Sequence, residues 1–116
     1  MHSFFEEDGV KGPYNWSLSV IKGLEVVSGI YVIFQQKKNQ LKPIYVGMSS
    51  ANSISIRDRL LQHFNNPTEK NGIFIRMDKP KFAYIDLSNL TKEEIRAKET
   101  YLIEKLGTKS YGNSQS

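Results

Sequence analysis

The chain has 116 residues, 39% of them apolar and thirteen of them aromatic, which is enough for one domain with a modest core and excludes a disordered polymer. With no cysteine it can build neither a disulfide framework nor a thiolate metal site, and no apolar run nears the roughly 18 residues that a membrane helix requires. The formal net charge of +4 is uneven: residues 1–28 hold four acids (Glu6, Glu7, Asp8 and Glu25) against two bases, leaving +6 on the other 88 residues, a surplus that suits a polyanionic partner such as nucleic acid.

The opening stretch, "MHSFFEEDGV", carries acids where a secretory signal carries bases and an apolar run, so the expectation is a soluble, cytoplasmic protein with no membrane partner. Residues 1–28 read as an N-terminal extension packed on a domain that spans 29–116. Within that extension "GPYNWS" is turn-like, while "LSVIKGLEVVS" suits a short strand or a short helix. Phe4, Phe5, Tyr14 and Trp16 give the extension apolar surface for packing, and would serve a dimer face or a substrate platform equally well. "GIYVIF" (29–34) is a strand by its β-branched and aromatic content. "QQKKNQLK" is a polar loop, and "PIYVG" (43–47) is a second strand closed by glycine. Ser53 or Ser55 can cap a helix that runs to about Phe64 and stops at "NNP". "GIFIRM" (72–77) and "KFAYIDL" (81–87) read as further strands. "TKEE" (91–94) is a capping box, with Thr91 at the N-cap and Glu94 three residues on. The order β-β-α-β-(β)-α predicts a small α+β fold, a mostly antiparallel sheet of three to four strands flanked by helices.

Three features of these elements point to a site. A hairpin centred on Lys38 sets Tyr31 directly across from Tyr45, and cross-strand partners share a face of the sheet. Two tyrosines so placed can also be ordinary interfacial residues with buried rings and wet hydroxyls. In "SIRDRLLQHF", Arg59 and His63 are four apart and project from one side of the helix, along the border of the stripe Ile56, Leu60, Leu61 and Phe64. Arg57 lies nearer that stripe and competes for any role given to Arg59; a solvated arginine beside a surface histidine is the plainer reading. Finally, Glu99 falls inside the arc of Ile95, Leu102, Ile103 and Leu106 on its helix. A carboxylate on an apolar face is costly unless something pairs with it. A divalent ion held by one carboxylate, an arginine for phosphate oxygens and a tyrosine or histidine as general base together make a set able to hydrolyse a phosphodiester.

"GIYVI", then "PIYVG", a helix ending "RLLQHF", then "KETYLIEKL" and the late asparagine of "SYGN" resemble, in that order, the GIY-YIG nuclease domain family over residues 29–113. The resemblance implies a metal-dependent endonuclease. Tyr31 would be the general base or water activator, Tyr45 would position the phosphate or relay a proton, and Arg59 would bind phosphate. His63 matches a position that is histidine or tyrosine in members, Glu99 the single protein ligand of the metal, and Asn113 the closing asparagine. The implied cofactor is one Mg²⁺ or Mn²⁺ ion, and the implied substrate is nucleic acid, DNA before RNA. Met48 follows Gly47 where several members have lysine. Lys37, Lys38, Arg57, Lys70, Arg76, Lys79 and Lys81 are candidate contacts to the nucleic-acid backbone. Such contacts position a strand without reading its sequence, so low intrinsic specificity is expected, with a monomer or homodimer and a protein partner as the route to targeting. The alternative is an inactive module of the same fold that binds nucleic acid or another protein.

Overall fold

A computed structural model describes residues 3–50, 54–65, 80–110 and 113. Strand β1 (Val10–Asn15) is followed by a short helix α1 (Leu18–Lys22), then by the hairpin strands β2 (Gly29–Lys37) and β3 (Gln40–Ser49). Helix α2 (Ile56–Asn65), strand β4 (Pro80–Asp86) and helix α3 (Lys92–Leu106) follow among the described residues. The four strands form one antiparallel sheet in the order β1-β4-β2-β3, the α+β arrangement expected from the sequence. The strand read over 72–77 lies outside the described residues.

Local chemistry sets the element ends. Thr91 Oγ1 accepts from the Glu94 backbone while Glu94 Oε1 accepts from the Thr91 backbone, so the capping box forms as read. Gly107, at φ 71°, ends α3 in the left-handed region that glycine adopts without penalty. Ser55 caps α2 by accepting from the Asp58 backbone N–H, and Ser53 lies outside the described residues. "GPYNWS" departs from its turn-like reading: residues up to Asn15 belong to β1, and Ser17 caps α1. A break in register between Lys11 and Tyr14 turns both side chains toward one face, which erases the period-two pattern by which a strand is read.

The sheet carries a core on each face. Ile30, Val32, Phe34, Val46, Ala83 and Ile85 pack beneath Ile95 and Leu102 of α3, together with Phe4 from the N-terminal 3-10 turn. On the opposite face Tyr31, Ile33, Tyr45, Phe82 and Tyr84 meet Ile21 of α1 and Ile56 and Leu60 of α2. Alternation along β2 thus assigns odd residues to the α2 side and even residues to the α3 side.

Candidate active site

The hairpin register differs from the one expected. Tyr31 lies opposite Gly47, and Tyr45 lies opposite Ile33, because β3 carries one extra residue near Ile44 and the turn is centred beyond Lys38. The net shift is two residues, and an even shift leaves both tyrosines on the same face. They are therefore diagonal neighbours, with ring centroids 6.2 Å apart. Gly47 is what allows this: a Cβ there would lie 2.2 Å from Tyr31 Cζ and 2.3 Å from its hydroxyl. The phenol of Tyr31 lies across the bare backbone of β3.

Helix α2 delivers His63 to the same spot. Four residues on from Arg59 along the helix, its ring is buried, with Nε2 2.9 Å from the Tyr31 hydroxyl. It meets the Tyr45 ring edge to face at 5.4 Å. Nε2 accepts from Tyr31 when the neutral imidazole carries its proton on Nδ1. Burial pushes the Tyr31 phenol well above its ordinary pKa; the neighbouring Tyr45 adds to that shift, Arg59 opposes it, and the charge of Glu99 reinforces it. Groups from β3, α2 and α3 thus contribute to the environment of one hydroxyl on β2. Arg59 donates from Nη1 to Gln62 Oε1 at 2.8 Å. Among the described residues Arg57 pairs with its neighbour Asp58, at 3.4 Å, and its Nε is buried without an acceptor.

Glu99 is half-buried, and no hydrogen-bond or ion-pair partner for it is found among the described residues. Burial raises its carboxyl above the ordinary value, and the positive Arg96 only partly offsets this. The inward-facing carboxylate read from the helix arc is thus present, and no side chain of the described residues neutralises it. No group of three or more candidate metal ligands occurs among the described residues. A lone carboxylate completed by waters and phosphate is the donor set that Mg²⁺ commonly takes, and Glu99 fits it.

Asn113 is held against the backbone of β3. Its Oδ1 accepts from the Val46 backbone N–H at 2.8 Å, and its Nδ2 donates to the Val46 carbonyl at 2.9 Å. Its amide thus pairs with the outer strand β3, between Tyr45 and Gly47. Lys37 and Lys38 lie exposed at the hairpin tip, and Lys81 donates to Asn15 Oδ1 at 2.5 Å. Lys70, Arg76 and Lys79 lie outside the described residues. Sequence reading missed Tyr84, which pairs with Tyr31 across β4 and β2; the alternation in "KFAYID" was the signal that could have found it.

The family model of the GIY-YIG catalytic domain matches residues 27–112, and the chain belongs to that family. Two similar solved structures are both of the N-terminal GIY-YIG endonuclease domain of UvrC from Thermotoga maritima, each a point mutant with one tyrosine replaced by phenylalanine and each bound to the catalytic divalent cation. They are 25% and 26% identical to this chain, each covering 78% of it and 89% of their own length, with a TM-score of 0.55 in both cases. No curated protein sequence matches the chain significantly.

Proposed function

We propose that the protein is a divalent-metal-dependent endonuclease that hydrolyses phosphodiester bonds in nucleic acid, with DNA as the substrate and little intrinsic sequence preference. The observation that carries this reading is Glu99: a half-buried carboxylate with no hydrogen-bond or ion-pair partner among the described residues. Glu99 would hold one Mg²⁺ or Mn²⁺ ion, which when bound supplies positive charge against the phosphate and the leaving oxygen. The family membership and the cation-bound endonuclease domains support the use of a divalent ion.

The chain's own groups then divide the work. Arg59 holds phosphate oxygens in a planar fork once it lets go of Gln62. Burial favours the neutral form of the Tyr31 phenol, which hydrogen-bonds with Nε2 of His63 and so acts within a relay. Tyr45, 7% exposed against 0% for Tyr31, is at the water-facing end. A proton leaving the attacking water passes through the phenols to Nε2 of His63 as the new P–O bond forms. The bond to the leaving oxygen breaks, and that oxygen takes a proton from solvent. Asn113 touches no reacting atom in this scheme; it fixes the strand that carries Tyr45 and Gly47.

Nicking of supercoiled plasmid tests the reading. With Mg²⁺ or Mn²⁺ the parent protein nicks, while Glu99→Ala and Tyr31→Phe each lose at least about 100-fold, the scale of a lost acid–base or charge-stabilising group. A parent that binds DNA but never cuts it would make the protein a binding module of this fold.

A further inference from the structure

Beside Tyr31 lies a polar cluster that the reaction scheme leaves unused. Pairing across three strands sets Lys11, Tyr84 and Tyr31 in one transverse row on the α2 face of the sheet. Glu25, from the segment between α1 and β2, reaches over this row. Its Oε2 takes a hydrogen bond from the Tyr84 hydroxyl at 2.7 Å and pairs with Lys11 Nζ. Lys11 Nζ is also 5.8 Å from the centre of the Tyr84 ring. An ammonium and a phenol therefore converge on a single anionic oxygen. Strands about 4.8 Å apart place the Lys11 backbone roughly 10 Å from that of Tyr31, a reach of about three nucleotides along one strand of a duplex.

We propose that Lys11 Nζ and the Tyr84 hydroxyl form a phosphate subsite for the nucleic-acid backbone next to the cleaved bond, with the Glu25 carboxylate holding the place of a phosphate oxygen until substrate displaces it. The site rests on the nuclease reading for its substrate, but binding tests it apart from cleavage. Both partners of the Lys11–Glu25 pair are more than 40% exposed, and exposed pairs are weak enough to be exchanged for a phosphodiester that brings its own charge. Tyr84 supplies the second donor without leaving the sheet. Lys11 and Glu25 both precede residues 27–112, so the subsite joins the family domain to a strand outside the family match.

The experiment is fluorescence anisotropy of a short labelled DNA duplex, with Ca²⁺ in place of Mg²⁺ and salt varied between about 50 and 200 mM. Lys11→Gln is expected to weaken binding several-fold and to flatten the log–log salt slope by about 0.9, one phosphate contact. Glu25→Gln is expected to tighten binding more than Glu93→Gln, which makes the same charge change on an exposed turn of α3. In nicking assays with Mg²⁺ the loss in Lys11→Gln falls on KM rather than on kcat. Equal binding and equal slope in the parent and Lys11→Gln would overturn the subsite, as would weaker binding in Glu25→Gln, which marks the pair as a brace. A parent that binds no duplex at the lowest salt also overturns it. A parent that binds with the expected variant pattern yet does not nick leaves the subsite standing and removes the nuclease.

Discussion

At the scale of single residues, Glu99 links stability to chemistry. Because burial raises its carboxyl in the folded state, the folded chain binds more protons than the unfolded one as pH rises above the ordinary carboxylate value of 4.5. Stability therefore falls across that window, and the cost is complete once pH exceeds the folded value. Glu99→Gln should raise Tm at pH 7, and the gain should vanish as pH drops toward 4.5. Mg²⁺ or Mn²⁺ should raise the Tm of the parent, by binding the folded state alone, and should leave Glu99→Gln unmoved in a calorimetric scan. Gly47 makes a second prediction. A methyl group there overlaps the Tyr31 ring, so Gly47→Ala should cost about 1–3 kcal/mol by chemical denaturation and abolish nicking. Adding Tyr31→Ala should recover part of that stability, because the two substitutions share one clash.

At the scale of elements, the outer strand β3 is anchored by a side chain as well as by its partner strand. Asn113 satisfies both backbone groups of Val46, and it does so from 67 residues away in sequence. Asn113→Ala leaves a buried backbone pair without partners, at a cost of about 1–3 kcal/mol. The Val46 amide should exchange faster in this variant than in the parent, where it donates to Asn113. Asn113→Asp should not restore it, since a carboxylate oxygen would face the Val46 carbonyl that now receives a donor. Helix α3 shows the opposite economy: capping box, apolar stripe and terminal glycine all lie within residues 91–107, and its form is decided locally.

At the scale of the whole molecule, the sheet works as a partition. The face beneath α3 is closed by Phe4, whose ring is buried against that core, while Phe5 stacks on Phe34 at 5.4 Å. Lys98 of α3 pairs with Glu7 just beyond that turn. The Phe4 ring thus belongs to that core, and Phe4→Ala should cost about 3–5 kcal/mol in denaturant unfolding. The opposite face gathers Tyr31, Tyr45 and His63, and Glu99 acts on Tyr31 from a helix packed on the other side.

Local patterns determined much of this protein. Periodicity, caps and the order of short motifs are properties of neighbours in the chain, so the apolar centres of the hairpin strands, α2, α3 with its capping box, the fold class and the inward-facing Glu99 were legible in the sequence, whereas the polar stretch 35–42, read as a loop, mostly continues β2 and β3 through pairing with each other. What depended on distant partners was not. The register of the hairpin hinged on one extra residue in β3, which no composition reveals. β1 was hidden because its register break spoils alternation and because its ladder partner, β4, lies some seventy residues later. His63 was readable as a helix-border residue, but only packing of α2 on the sheet brings its Nε2 to Tyr31. Asn113 was readable as a motif residue, but only the tertiary fold turns its amide to the backbone of β3, because a hydrogen bond between remote segments exists only once both have been brought together.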